Sequence, residues 1–367
     1  FLSTQGAEAG VLYFRIQRSA KSSLRTFDAN GASMNSLPSQ MAQSLRSIGT
    51  ESLEPLFPID PRFEERMRRE GLDLWYVVRF NKQQDLQAAM QTLSTTPEIE
   101  YTEPVYEIAR PTGKAVAVDA PRRSDAPTAP FDDPMLGDQW HYNNTGRFSR
   151  SVAGADIGLF KAWKTETGKP NVIVAITDGG IDITHPDLKD NLYVNQKELN
   201  GQEGVDDDGN GFIDDINGFN FIHNNGKIYP DDESHGTHVA GTVAARNNNG
   251  IGVAGIAGGD GTEGSGARLM SCQIFGGERE GGNSANAIVY SANNGAVISQ
   301  NSWGYIYTAN ITAIPQSQKA AIDYFIKYAG CDKDGNQLPN SPMKGGVVIF
   351  AAGNDGLDYR SFPGAYA

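Results

Sequence analysis

The chain has 367 residues, too many for one average domain, which points to two. Hydrophobic residues make up 39%, and 42 glycines bring the apolar share to that of a folded globular protein. A formal charge of −13 excludes a general nucleic-acid binder, because phosphate contacts need clustered Lys and Arg.

The charge is uneven. Residues 1–130 hold 15 basic and 16 acidic side chains, whereas residues 131–367 hold 16 and 28. An acidic second part suits metal cations or basic peptides. No apolar run reaches the length of a membrane span, so no transmembrane segment is expected. The chain begins at Phe1 rather than Met, and the expectation is that an export signal has been removed. Cys272 and Cys331 allow one bridge but not a disulfide scaffold.

In chain order, residues 11–17 (VLYFRIQ) alternate as a strand. Residues 37–48 show helical spacing with Pro38 near the start, and residues 51–57 read as a second strand. Residues 74–80 (LWYVVRF) form a third strand, with an extra charged helix inserted before it at 59–70. Residues 82–93 put Leu86, Met90 and Leu93 on one helical stripe, and residues 98–108 are extended. This β-α-β-β-α-β order predicts a four-stranded sheet with two helices on one face.

Residues 110–131 are rich in Pro, Ala and charge and lack periodicity, as an exposed linker does. The pair Arg122-Arg123 within it reads either as part of a solvated spacer or as a processing site. Beyond residue 150 the pattern changes. Apolar runs at 172–176 (VIVAI), 267–275, 297–299 and 347–352 (VVIFAA) alternate with helical stretches at 236–246, 284–293 and 317–328. Strands buried on both faces between helices predict a mostly parallel α/β sheet with helices on both faces. Ligand sites in such sheets lie at the carboxyl ends of the strands.

Three features sit at strand ends or helix starts. Asp178 follows VIVAI, His235 opens a helix in HGTHVAG, and Asn354 follows VVIFAA. Singly, each is an ordinary turn or cap residue. Together they divide a labour. A buried carboxylate orients an imidazole, and the imidazole is a general base toward a hydroxyl. The side-chain N–H of Asn354 can serve a developing oxyanion. The helix N-terminus is expected to keep His235 neutral at rest.

The strings VIVAITDGGIDITHPDL (172–188), HGTHVAG (235–241) and VVIFAAGN (347–354) resemble the Asp, His and oxyanion-Asn blocks of the subtilisin-like serine proteases. The resemblance covers roughly residues 130–367, and QWHYNNTG (139–146) is similar to the start of that family's catalytic domain. It implies Asp178 as the triad aspartate, His235 as the base and Asn354 as the oxyanion donor, with His238 structural. The β-α-β-β-α-β segment, ending IEYTEPVYE (99–107), is similar to the family's N-terminal propeptide, which chaperones and inhibits. The implied division is a ferredoxin-like α+β propeptide domain at 1–110, a linker at 111–131 and the first part of a catalytic domain at 132–367. A secreted or cell-envelope serine endopeptidase precursor is implied, acting on polypeptides and held by its own propeptide.

Two departures stand out. No GTSMA-type nucleophile motif follows Asn354, so the serine is expected on a C-terminal segment or second chain. If no such segment exists, the alternative is a catalytically incomplete, peptide-binding or propeptide-holding module. In addition, Asp178-Gly179-Gly180 lacks the hydroxyl residue that the family often places after the aspartate.

Within the resemblance, Ser302-Trp303-Gly304 matches the strand lining the first specificity pocket, and Gly281-Gly282 falls near the facing strand. An extended peptide would add between them. Trp303 reads equally well as a packing residue. Separately, residues 206–215 (DDDGNGFIDD) carry oxygen side chains at Asp206, Asp208 and Asn210, with Gly211 for a sharp turn. This is the start of a calcium loop, with Phe212 offering a carbonyl and Asp214 or Asp215 closing the shell. Asn217 at the twelfth position means that it is not an EF-hand. The other reading is a solvated acidic turn.

Overall fold

A computed structural model describes residues 3–23, 27–28, 31–32, 37–110, 129–147, 150–276, 283–306, 309, 311–354, 356 and 360–366. The N-terminal part holds β1 (Ala7–Ile16), the short hairpin β2 (Phe27–Asp28) and β3 (Gly31–Ala32), α1 (Ser39–Ser47) and β4 (Thr50–Pro55). There follow α2 (Glu64–Arg69), β5 (Trp75–Phe80), α3 (Leu86–Ser94), β6 (Ile99–Tyr106) and β7 (Ile108–Ala109). β4, β5, β1 and β6 form one sheet in that order, every neighbouring pair antiparallel. This is the predicted β-α-β-β-α-β arrangement. Asp85 caps α3 by accepting from the Ala88 N–H, so that helix starts four residues later than the expected 82–93 span.

Strand alternation sorts this sheet's residues between two cores. Leu12, Phe14, Tyr76, Val78 and Phe80 face α1 and α3, packing with Leu45, Met90 and Leu93. Trp75, Tyr13, Val77 and Tyr101 face the other way, into a core shared with the second half of the chain.

That second half holds α4 (Leu159–Ala162), β8 (Ile173–Gly179), α5 (Gln196–Leu199), β9 (Gly218–Asn220), α6 (His235–Ala244) and β10 (Arg268–Phe275). It continues through α7 (Ser284–Asn293), β11 (Ile298–Asn301), β12 (Gly304–Tyr305), α8 (Gln316–Tyr328) and β13 (Val347–Phe350). The strands order as β13-β11-β8-β10-β9, all parallel. Val174 and Ile176 pack toward Ala240 and Ala244 of α6, whereas Ala175 joins Ile288 of α7 and Phe325 of α8 on the opposite face. The result is five layers: α1 and α3, the antiparallel sheet, α7 and α8, the parallel sheet, and α6. β9 was not anticipated, because three residues behind an acidic loop carry too little periodicity to read.

The first half grips α8 at both ends. The buried Glu103 carboxylate accepts from the Gln316 and Ser317 N–H groups at 2.7 and 3.0 Å, where a helix start favours negative charge. Burial lifts its pKa to about 7 even so. Past the other end, Arg66 of α2 donates to the Cys331 and Asp332 carbonyls, to Tyr324 Oη and to Asn293 Oδ1. The charged helix expected between β4 and β5 is thus buried at its centre. Cys272 and Cys331 are both free thiols, buried separately.

Candidate active site

β8 is a run of buried apolar residues that ends at Asp178 and Gly179. α6 begins with its first turn against that end. A Cβ on Gly236 would lie 2.0 Å from the Gly179 carbonyl oxygen, so only glycine admits this approach. The consequence is a meeting of residues 57 positions apart: His235 Nδ1 lies 2.7 Å from Asp178 Oδ1. Asp178 is fully buried, and its Oδ1 also accepts from the Gly179 N–H at 2.7 Å. Its Oδ2 has no protein partner among the described residues.

The hydrogen bond to Asp178 raises the His235 pKa above its ordinary 6.5, outweighing burial and the opposing charge of Arg110. The helix N-terminus, expected to favour the neutral imidazole, is thus opposed by a carboxylate in contact. Asn354 lies exposed just past β13, two strands from β8 in the sheet, at the same carboxyl edge.

After β11 the chain passes Ser302 and Trp303 into β12. β12 pairs antiparallel with β7, Gly304 opposite Ala109 and Tyr305 opposite Ile108. The Ile306 N–H extends the ladder to the Glu107 carbonyl at 3.1 Å. The end of the first half therefore lies along the segment predicted to receive a peptide. Trp303 is buried, its ring edge-on to Phe350 at 5.2 Å, so its side chain packs while the neighbouring backbone pairs. Ser302 Oγ accepts from Gln300 Nε2. Gly281 and Gly282 lie outside the described residues, as do Arg122 and Arg123.

Arg110 follows β7 and donates to Asp231 Oδ2 at 2.5 Å. Asp231 Oδ1 in turn accepts from the His235 N–H at 3.2 Å. Neither residue was singled out in the sequence. The only hint was the acidic run DDES immediately before His235.

In the acidic loop, carboxylates of Glu198, Asp206 and Asp208 converge, with ligand oxygens all within 4.8 Å of one another. Glu198 comes from α5 and had no motif to reveal it. Its oxygens accept from the Asp207, Asp208 and Asp214 N–H groups, and Asp206 accepts from those of Gly209, Asn210 and Gly211. Asn210 and Asp215 form a neighbouring buried network: Asp215 accepts from Asn210, Asn195 and Tyr290. Burial lifts the Asp215 pKa to about 7. Phe212 packs its ring against Phe219 and Tyr290. A set of oxygen donors alone suits a hard cation such as Ca²⁺, and Arg62, 3.0 Å from Asp208 Oδ2, offsets only one of the three crowded carboxylate charges.

Known proteins resemble both halves of the chain. The model of the Subtilase family matches residues 169–367, and the model for the N-terminal of the Subtilase family matches residues 20–146. Subtilisin-like protease 1 of Plasmodium berghei (strain Anka) is 36% identical over 171 residues, covering 46% of this chain and 27% of the relative. A thermophilic serine proteinase of Bacillus sp. (strain AK1) is 27% identical over 290 residues, covering 77% of this chain and 51% of the relative. The chain thus spans a quarter to a half of the length of these relatives. The crystal structure of fervidolysin from Fervidobacterium pennivorans, a keratinolytic enzyme related to subtilisin, superposes with a TM-score of 0.54 at 20% identity. It covers 96% of this chain and 41% of that one, a likeness of fold.

Proposed function

The chain belongs to the subtilase family, and from that premise we propose that it is the precursor of a secreted serine endopeptidase. The observation that carries this reading is the 2.7 Å contact between Asp178 and His235 at the carboxyl edge of the parallel sheet. Asp178 holds the imidazole in one orientation and stabilises its protonated form. His235 takes the proton of a serine hydroxyl as the oxygen bonds to the peptide carbonyl carbon. It returns that proton to the amine as the C–N bond breaks. Asn354 donates to the oxyanion that forms between these steps. The serine comes from a segment outside these 367 residues.

Residues 1–110 act as the inhibitory prosegment, residues 111–131 as the linker that is cut, and residues 132–367 as part of the catalytic domain. With Glu107–Ala109 paired along β12, a substrate cannot lie there. Glu198, Asp206 and Asp208 would hold Ca²⁺, with Asn210 and the Phe212 carbonyl alongside. The ion would supply the charge balance that keeps the loop folded.

Labelling the protein freed of its prosegment with a serine-directed fluorophosphonate tests the reading. Labelling that is lost in His235→Ala supports it. No labelling and no peptide hydrolysis by the prosegment-free protein would leave the alternative, a module that binds peptides without cleaving them.

A further inference from the structure

We propose that Asp231, with Glu233 and Phe275, forms a subsite beside His235 for a basic side chain of the peptide substrate. The inference rests on the peptidase reading above and adds to it the chemistry of the substrate.

The site is already occupied from within the chain. Arg110 sits one residue past the Ala109–Gly304 pair, where a peptide lying on β12 continues toward His235. Its guanidinium meets Asp231 Oδ2 at 2.5 Å and Glu233 Oε2 at 3.6 Å, and lies 5.6 Å from the centre of the Phe275 ring. The Asp231 side chain is only 3% exposed, whereas that of Glu233 is 77% exposed. One carboxylate therefore anchors the cation, and the other supplies field at the rim.

The backbone is shaped around this carboxylate. A Cβ on Gly179 would fall 2.0 Å from Asp231 Oδ2, and one on Gly276 would fall 3.1 Å from Asp231 Cβ. The glycine after the catalytic aspartate thus opens the volume that Asp231 fills. Asp231 Oδ1 is committed to the His235 N–H, and Oδ2 faces Arg110. Once the prosegment departs, a nearly buried carboxylate oxygen loses its cation. A substrate with an uncharged side chain here would leave that oxygen desolvated and unpaired, which selects against it. Two residues upstream, Ile108 is buried in the same apolar cluster as Trp303. Alternate residues of an extended peptide share a face, so the recognised pattern is an apolar residue, any residue, then Arg or Lys.

The probes are two peptides with the sequence of residues 99–110, one ending in arginine and one in citrulline, which keeps the shape without the charge. Each is titrated by fluorescence anisotropy against full-length protein freed of its prosegment. The same two side chains are also placed in fluorogenic substrates. The arginine form is expected to be favoured about tenfold or more, the scale of a hydrogen bond to a charged group. That ratio should fall as salt is raised, approach unity in Asp231→Asn and decline partly in Glu233→Gln. Equal binding of the two peptides by the wild type overturns the proposal, as does an unchanged ratio in Asp231→Asn. A protein that prefers the arginine peptide but cleaves nothing supports the subsite and refutes the peptidase. One that cleaves both substrates equally does the reverse.

Discussion

Replacing Arg66 by alanine should loosen the prosegment without touching the active site. Arg66 is 0% exposed. Nε donates to Tyr324 Oη at 2.7 Å, Nη1 to the Cys331 and Asp332 carbonyls at 3.0 and 2.8 Å, and Nη2 to Asn293 Oδ1 at 2.9 Å. The guanidinium also stacks 3.6 Å from the Phe63 ring centre. All four acceptors are neutral, so the charge is balanced by the carboxyl ends of α7 and α8, where cations are favoured. Deleting the donor strands buried acceptors, and each one left unsatisfied costs about 1–3 kcal/mol. Part is offset because alanine no longer has to be stripped of water on docking, which leaves roughly 2–4 kcal/mol. At tenfold per ~1.4 kcal/mol, the complex should dissociate about 30- to 700-fold more readily. The assay places a specific cleavage site within residues 111–128 of the full chain, cuts it, and follows separation by size-exclusion chromatography. Arg66→Lys keeps the charge but not the planar fork and should recover only a minor part. If the cut Arg66→Ala complex lasts within threefold of wild type, while circular dichroism shows it folded, the socket is mere packing.

The raised pKa of His235 puts the acid limb of kcat/KM above 6.5, since the imidazole must lose its proton to act as base. Asp178→Asn should move that limb down and cut kcat by about 10⁴. Glu103 gives the retention of the prosegment its own pH dependence. With its pKa lifted from 4.5 to about 7 when docked, the complex holds a proton that the released prosegment gives up, so retention should weaken as pH rises across that window. Half-lives of the cut complex at pH 5 and 8 measure this, and Glu103→Gln should flatten the difference. Gly179→Ser forces a Cβ into the Asp231 carboxylate and should cost about 1–3 kcal/mol in thermal unfolding; adding Asp231→Ala should restore part of it. Removing calcium with a chelator should lower the Tm of the wild type but not of Glu198→Gln, as measured by scanning calorimetry.

The elements of both halves were legible because their periods were clean. VIVAI and VVIFAA carry apolar residues on both faces, and residues 74–80 are rich in aromatic and β-branched side chains. The Asp178 and His235 pair was legible for a different reason: each stands at the boundary between an apolar strand or helix and a polar turn. Arg66 and Arg110 were not, because a charge on a charged helix or in a polar tail looks solvated until a partner surface buries it. Glu198 was hidden likewise, its companions lying eight and ten positions downstream on another loop.

The hold on α8 makes the prosegment a caliper. Glu103 touches the first two N–H groups of a helix of 13 residues, and Arg66 takes carbonyls just past its far end. One residue added to that helix would shift one jaw by about 1.5 Å and turn it by about 100°. Only a partner whose helix has the matching length and polarity satisfies both jaws, so the prosegment measures the domain it closes on.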